Sequence, residues 1–321
     1  MNDQEIRELF EPLWADAQGP DSFPSKRPLL AHYTSVAVLE AILRNKEVWL
    51  SNPLFMNDLE EVRFGMTVGA NLFLGSSEIE PACGSKQRFD TLRSTFNYWN
   101  NTFANEHLLD LYVFCLSQHA KEDNDGLLSM WRGYGGNGSG AAIVFDTAKI
   151  DARESSPLII AKVHYGTAEQ RIDALKQYIT QFAGILQTSK LPDDKLSHAS
   201  YYFFQRLKQF SIFTKHRSFK EENEWRVVYL KDRDEAKSFD KMLSYGVGPR
   251  GVEPKLKLKI DAIPGLPEMN ISLAEIVDRI ILGPSVSSPL ARATILRMVD
   301  ALNLSELRNR IISSTIPFRA T

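Results

Sequence analysis

Short β-rich runs are distributed along most of the chain and are separated by helical segments of unequal length. The strand-like runs lie near residues 29–33, 48–50, 112–116, 141–145, 224–230, 255–260 and 279–282, with a weaker run at 162–165. Apolar residues at helical spacing predict helices near 3–17, 38–43, 57–75, 86–105, 168–188, 193–214 and 287–302. Because strands and helices do not alternate regularly, as they do around a parallel sheet, the pattern predicts an α+β fold.

Length and charge narrow the class of protein without naming a function. The 321 residues suffice for two average domains or for one elaborated domain. The net charge is −2, so no global field indicates a nucleic-acid or membrane partner. The N-terminus is acidic and lacks the apolar run of a secretory signal, and no stretch approaches the roughly 20 apolar residues of a membrane span. We therefore expect a cytoplasmic protein without a membrane partner.

Histidine and cysteine do not form a metal-binding pattern. The two cysteines, Cys83 and Cys115, and the six histidines lack the spacing of a zinc site or a disulfide framework, so we expect no metal. His32 lies in the first strand-like run, in the order His32-Tyr33-Thr34. A structural hydrogen bond and a role in a functional site are both open for this histidine.

Residues 133–140 form a glycine-dense loop that contains the pattern G-x-G-x-x-G. A dinucleotide fingerprint requires this pattern after a strand and at the start of a helix. Here the loop precedes the strand-like run at 141–145, so the pattern does not predict a Rossmann-type site. A flexible turn is the favoured interpretation, and close approach of the backbone to a phosphate is the alternative.

A pair of glutamates, Glu222 and Glu224, lies where the strand-like run 224–230 begins. In a strand, residues i and i+2 project from the same face. Two ionised carboxylates side by side repel each other unless a cation or a substrate uses them. A solvated acidic turn and a functional pair are both compatible with this pattern.

A basic stretch precedes the glutamates and is interleaved with aromatic residues. Its candidate residues for contact with a phosphate or a nucleic-acid target are Arg206, Lys208, Lys215 and Arg217. The ordinary interpretation is an amphipathic helix with a solvated basic face. The alternative is a local patch that binds nucleic acid.

Taken as a set, several short motifs resemble a bacterial family catalogued as domain of unknown function 2971. The set covers most of residues 29–318 and consists of His32-Tyr33-Thr34, Ile42-Leu43, Trp49-Leu50-Ser51, Phe55-Met56-Asn57-Asp58, Phe114-Cys115-Leu116-Ser117, Met130-Trp131-Arg132-Gly133-Tyr134, Phe145-Asp146, Phe219-Lys220-Glu221-Glu222-Asn223-Glu224-Trp225-Arg226 and Ile280-Ile281-Leu282-Gly283-Pro284. The combination is specific, whereas no single motif is.

The order of these motifs also looks like the ADP-ribosyltransferase superfamily. In that fold a histidine on the first strand leads into a helix, and a glutamate at the head of a late strand completes the site, often as E-x-E. His32 and Glu224 match those two positions in order and context. The resemblance implies one α+β domain over residues 29–321, with a split mixed or antiparallel sheet and helical insertions near 57–105 and 168–214. A helix and a linker at 1–28 would precede it.

The same resemblance implies roles for individual residues. Glu224 would stabilise positive charge when the bond between nicotinamide and ribose breaks, Glu222 would accept a proton, and His32 would hydrogen-bond NAD. The residues implied in binding NAD as the co-substrate are His32, Tyr33, Thr34, Ser51, Asn57, Ser117, Trp131, Tyr134 and Arg226. The middle position of the site is open between Ser51, Ser117 and Tyr134.

Two classes of function remain as hypotheses. The first is an ADP-ribosyltransferase-like enzyme that modifies RNA, DNA or protein, for which the resemblance implies a bacterial toxin or phage-defence role and a neutralising antitoxin. The second is a non-catalytic module on the same fold that binds nucleic acid or protein through the basic stretch. A nucleotide hydrolase is disfavoured because the sequence has neither a metal-ligand cluster nor a G-x-S-x-G elbow.

Overall fold

Three separate stretches of the chain build a helical unit, and three others build a sheet unit. A computed structural model describes residues 1–56, 59–151, 156–248, 251–261 and 271–318. The helical unit comprises Met1–Ser22, Pro53–Leu111 and Val163–Lys220, and the sheet unit comprises Phe23–Asn52, Tyr112–Lys162 and Glu221–Thr321. The segments with predicted helical insertions, 57–105 and 168–214, both fall in the helical unit, together with the N-terminal helix.

The helical unit consists of six helices and two short parallel strands among the described residues. With elements numbered along the whole chain, they are α1 (Asp3–Phe10), α3 (Leu59–Leu74), α4 (Ile79–Cys83), α5 (Lys86–Asn105), α7 (Ala168–Thr188), α8 (Leu196–Phe213), β6 (His164–Gly166) and β7 (Thr214–His216). Capping boxes start two of them, Asn2 with Glu5 at α1 and Thr167 with Gln170 at α7. The helix predicted at 3–17 changes after Phe10 into a 3₁₀ turn, because Pro12 has no N–H to donate to an α-helical hydrogen bond.

Aromatic packing and one close helix contact hold the helical unit together. Phenylalanine rings with centroids 4.4 to 4.9 Å apart come from four helices, as Phe73, Phe96, Phe182 and Phe203. Helices α3 and α8 approach closely at Gly65, where an added Cβ would lie 2.3 Å from the Ser211 hydroxyl oxygen. A larger residue than glycine at this position would therefore push the two helices apart.

Where the structure describes the sheet unit, ten strands are joined into one mixed sheet. They are β1 (Leu29–Thr34), β2 (Glu47–Ser51), β3 (Leu111–His119), β4 (Ala141–Asp146), β5 (Leu158–Lys162), β8 (Glu224–Leu230), β9 (Leu243–Gly248), β10 (Gly251–Lys259), β11 (Val277–Leu282) and β12 (Ile311–Ser313). The strand order is β12-β11-β4-β1-β3-β2-β10-β9, and β8 forms a branch that pairs with β3 and β5. The pairing of β11 with β12 is parallel, whereas β1 pairs antiparallel with both β3 and β4.

The first strand separates from one of its neighbours partway along. β1 pairs with β4 over all six residues but with β3 only from Leu29 to Ala31. Helix α2 (Val36–Asn45) follows β1, with Ser35 as its N-cap, and leads into β2. The remaining helices of this unit are α6 (Leu128–Gly133), α9 (Leu273–Ile276) and α10 (Pro289–Ala301).

Alternation along the strands gives this sheet two faces with different neighbours. The first face carries the larger hydrophobic cluster, which includes Leu30, Phe114, Ile143, Phe145, Trp225 and Tyr229. The second face carries a smaller cluster, which includes Ala31, Tyr33, Met130, Trp131 and Val144. The first face and the second face therefore bury different sets of side chains.

The predicted α+β class is confirmed, with an open mixed sheet and helices. The sequence missed β5, β9 and α6, because these elements are short and β9 contains two glycines that disfavour a strand assignment. Within the described residues, no helix is both long enough and apolar enough to cross a membrane.

Candidate functional site

The start of β8 brings the two predicted glutamates to the end of β3. A 3₁₀ turn at Arg217–Glu222 leads to Asn223, whose φ of 42° turns the chain into the strand. The Gln118 N–H donates to the Asn223 carbonyl at 2.9 Å, and the Ser117 hydroxyl donates to the Glu222 carbonyl at 2.7 Å. The backbone that carries both carboxylates is thus fixed to β3 from both sides of Asn223.

Glu222 has an exposed aromatic partner. The Tyr134 hydroxyl donates to Glu222 Oε1 at 2.7 Å, across 88 positions of sequence. Tyr134 follows α6, and its side chain is 47% exposed. A carboxylate and a phenol therefore meet at a surface that a ligand can reach.

Glu224 lies on the second face and forms a buried ion pair. Trp225 belongs to the first face, so its neighbours Glu224 and Arg226 project from the opposite side of β8. Arg226 Nε donates to Glu224 Oε1 at 2.7 Å, and Arg226 Nη2 donates to Oε2 at 3.3 Å. Both side chains are at most 4% exposed. Arg226 is one of the residues implied in binding NAD, and in this structure its guanidinium holds the Glu224 carboxylate.

His32 does not share a face with Glu224. His32 pairs with Ile143 on β4, and its ring centroid lies 4.5 Å from that of Phe114, so the imidazole belongs to the first face. The arrangement predicted from the sequence, in which His32 and Glu224 bind one nicotinamide riboside, requires both side chains on one side of the sheet. The structure does not bring them together.

The His32 imidazole instead bridges the strands where β1 leaves β3. Its Nδ1 lies 3.2 Å from the Cys115 carbonyl oxygen, which accepts a hydrogen bond only from a protonated Nδ1. Burial lowers the pKa of His32 to about 4, against a smaller opposing effect of this hydrogen bond. At pH 7 the ring is therefore neutral, with its proton on Nδ1 and a lone pair on Nε2.

Three predicted NAD-binding residues beside His32 are part of the interior. Thr34 is 8% exposed, Tyr33 5% and Trp131 0%. The Tyr33 hydroxyl accepts the Leu127 N–H at 2.9 Å, and Trp131 Nε1 donates to the Asp125 carbonyl at 2.8 Å. Burial raises the pKa of the Tyr33 phenol to about 12. Tyr33 and Trp131 support the second face from inside, and their rings do not present a surface for stacking. Thr34 alternates with Tyr33 along β1 and therefore belongs to the first face.

The residues predicted for the middle position of the NAD site, Ser51, Ser117 and Tyr134, do not all lie together. Ser117 is 1% exposed and is beside the glutamates, as described above. Ser51 lies on β2, where it accepts a hydrogen bond from Lys255 Nζ at 2.9 Å, and Lys255 also pairs with Glu253 at 2.8 Å. Asn57, another residue implied in binding NAD, lies outside the described residues. Of the three residues predicted for this position, Ser117 and Tyr134 contact Glu222.

The glycine-dense loop at 133–140 is a packed turn. The Gly138 N–H donates to the Trp131 carbonyl at 3.2 Å, and the Gly140 N–H donates to the Gly135 carbonyl at 2.8 Å. A Cβ added to Gly140 would lie 2.1 Å from the Thr34 carbonyl oxygen. The loop is a turn, as expected, and its glycines permit close backbone packing.

The predicted basic patch is corrected by burial. Arg206 is 4% exposed, Lys208 2% and Lys215 3%, whereas Arg217 is exposed. Arg206 pairs with Asp16 at 2.5 Å and lies 4.0 Å from the Tyr178 ring centroid. Both faces of α8 are covered, so the helical spacing of charges did not create a solvated face. These four residues belong to the helical unit, and the glutamates belong to the sheet unit.

Gln118 is a supporting residue that the sequence did not reveal. Besides its backbone bond to Asn223, its side-chain oxygen accepts a hydrogen bond from Trp225 Nε1 at 3.2 Å. Gln118 therefore fixes the residues on both sides of Glu224. Its only signal in the sequence is a polar residue within an apolar strand, next to Ser117.

No group of three or more histidine, cysteine, aspartate or glutamate side chains is placed to hold a metal ion in the part of the chain that the structure describes. The hydrogen bonds at the start of β8 define a candidate site of two carboxylates, a phenol and a guanidinium, formed by Glu222, Glu224, Tyr134 and Arg226.

Part of the chain matches a known protein family. Residues 130–227 match the model of a family described as "Protein of unknown function (DUF2971)". No curated protein and no solved structure matches the chain. The matched segment contains Tyr134, Glu222, Glu224 and Arg226. The predicted resemblance to domain of unknown function 2971 is thus confirmed over residues 130–227.

Proposed function

We propose that the chain is an ADP-ribosyltransferase-like enzyme that uses NAD as co-substrate and transfers ADP-ribose to a macromolecular acceptor. The observation that carries this proposal is the pair of carboxylates at the head of β8, with the exposed Tyr134 phenol 2.7 Å from Glu222. A carboxylate in contact with an exposed aromatic ring, with a second carboxylate two residues further along the chain, suits a reaction in which positive charge develops next to a flat heterocycle.

The chemistry uses each group of the site in a separate way. The bond between ribose C1′ and the nicotinamide nitrogen breaks, and its electron pair leaves with nicotinamide. Positive charge develops on the ribose, and the Glu224 carboxylate lowers the free energy of that transition state. A nucleophilic atom of the acceptor bonds to C1′ and gives its proton to Glu222, which has lone pairs besides the one that Tyr134 uses.

Arg226 acts as a positioning residue in this proposal. Its two hydrogen bonds fix the Glu224 carboxylate, so that little reorganisation is needed when charge develops. Tyr134 supplies the exposed ring on which nicotinamide stacks. His32 is not part of the proposed site because it lies on the first face.

The proposal extends to the fold and the biological role. Separation of β1 from β3 after Ala31 supports a split sheet of the ADP-ribosyltransferase type. A cytoplasmic bacterial toxin or phage-defence effector, neutralised by an antitoxin, belongs to the proposal through the resemblance alone. The non-catalytic binding module has lost its main support, because three of its four basic residues are buried.

Label transfer from NAD tests the proposal directly. The purified protein is incubated with NAD labelled in its adenylate and with cellular RNA, DNA and protein, and both transferred label and released nicotinamide are measured. We expect Glu224→Gln to lower activity on the order of a hundredfold or more, as for loss of a group that stabilises transition-state charge. Glu222→Gln should lower transfer to the acceptor more than it lowers release of nicotinamide.

Glu221→Gln is the matched control, because Glu221 is adjacent, exposed and outside the site. It should retain the activity of the unchanged protein. Absence of both label transfer and nicotinamide release from the unchanged protein overturns the proposal. Equal activity of all three glutamine variants, each shown to be folded by circular dichroism, overturns the assignment of Glu222 and Glu224.

A further inference from the structure

The first face of the sheet unit encloses an apolar cavity of about 100 Å³. Its lining is aliphatic or aromatic apart from Thr147, whose hydroxyl already donates to the Pro28 carbonyl at 2.6 Å. A buried water typically makes about three hydrogen bonds, and this lining does not provide them. The cavity therefore favours an apolar occupant over water.

The cavity has a closed end and an apolar mouth. Leu30, Val48 and Leu50 line the closed end and are at most 4% exposed. Leu158 on β5 and Val227 on β8 also line the cavity and are only partly buried. Ile150, Ile160 and Ile271 also line the cavity and are partly buried, so the five lining residues that solvent reaches, all of them apolar, form the mouth.

We propose that this cavity binds the end of an unbranched aliphatic chain, such as the acyl chain of a fatty acid or a lipid. A dry cavity of about 150 Å³ accepts benzene, and the present one is smaller, which favours a narrow chain over a ring. Because the lining offers no polar partner, the polar head of the ligand stays outside the mouth. The cavity lies on the first face, so this inference is independent of the proposed NAD chemistry on the second face.

Titration calorimetry with hexanoate, octanoate and decanoate tests the site, and sedimentation with phosphatidylcholine vesicles tests a membrane lipid as the source of the chain. We expect saturable binding with an affinity that rises about fourfold for each methylene buried, from the free energy of burying a CH₂ group. The gain should level off once the cavity is filled. If the protein binds vesicles but no free alkanoate, and Val227→Phe abolishes that binding, the aliphatic chain comes from a membrane lipid.

Val227→Phe fills the mouth and should abolish binding. The matched control is Val247→Phe on β9, where the valine is 86% exposed and does not line the cavity. Val48→Ile adds one methyl group at the closed end and should shift the preference to a shorter alkanoate. If Val227→Phe does not fold, this shift in chain-length preference tests the cavity as the binding site. Failure of the unchanged protein to bind any alkanoate or vesicle overturns the proposal. Equal binding by Val227→Phe and Val247→Phe also overturns it.

Discussion

The neutral His32 imidazole makes the stability of the sheet unit depend on pH. Its folded-state pKa of about 4 lies below the ordinary value of 6.5, because burial disfavours the charged ring. The unfolded chain therefore binds this proton at a higher pH than the folded chain does. The stabilisation is fully present above pH 6.5 and is lost as the pH falls from 6.5 towards 4.

We expect acidification through that range to lower the free energy of unfolding by about 3 kcal/mol at most through this residue. Urea unfolding at pH 7 and pH 4.5 measures the change, and His32→Gln should reduce it. His164→Gln is the control because His164 is exposed, and it should keep the pH dependence of the unchanged protein. An NMR titration in which His32 takes up its proton near pH 6.5 contradicts the prediction.

The buried ion pair between Glu224 and Arg226 leads to a prediction about protein stability. Removing one member of a buried ion pair leaves the other charge unpaired in the interior, which costs about 3 to 5 kcal/mol. Arg226→Met should therefore destabilise the protein by about that amount, measured from the shift of the urea unfolding midpoint. Arg217→Met removes an exposed arginine and should change stability by no more than about 0.5 kcal/mol. A similar midpoint for both variants would show that the pair contributes nothing to stability.

At the scale of elements, the loop at 133–140 packs against the end of β1 just before β4 begins. An added methyl group at Gly140 meets the Thr34 and Gly135 backbone within 2.7 Å, and backbone atoms cannot rotate away as a side chain can. Gly140→Ala should destabilise by about 1 to 3 kcal/mol or more, from overpacking. Gly133→Ala is the matched control, since nothing lies within 4 Å of a Cβ there and alanine favours the end of α6. Equal thermal midpoints for the two variants would contradict the packed-turn description.

The same elements show why some of the site could be predicted from the sequence. Glu224 begins an apolar run, so its position at a strand start follows from local chemistry, whereas Glu222 lies in the 3₁₀ turn before the strand. The contact of Glu222 with Tyr134 joins residues 88 positions apart and depends on how α6 packs, which no local pattern encodes. His32 was placed on the correct strand, but its face is decided by the register of β1 against β4.

For the whole molecule, the class of fold follows from the spacing of apolar residues, whereas the division into two units does not. The helical unit gathers three stretches of chain that are far apart in sequence. Burial of Arg206 and Lys208 is a result of that assembly, because aromatic rings of two other helices, Tyr178 of α7 and Phe103 of α5, lie over the two charged groups. Periodicity along α8 alone predicts a solvated basic face and cannot report what packs against it.

The distribution of charge over the whole chain leads to a last prediction, on polyanions. The net charge is −2, and three of the four basic residues considered for target binding are buried, so little positive surface remains there to displace counterions from nucleic acid. We expect a labelled single-stranded 20-mer to bind no more tightly than about 10⁻⁴ M at 0.15 M salt, the weak limit of non-specific binding. Fluorescence anisotropy between 50 and 200 mM salt measures this, with the exposed Arg217→Ala variant as the comparison. Micromolar binding that weakens steeply with salt and is lost in Arg217→Ala would contradict this prediction. It would show that Arg217 belongs to a nucleic-acid-binding surface, and nucleic acid would then be the first ADP-ribose acceptor to test.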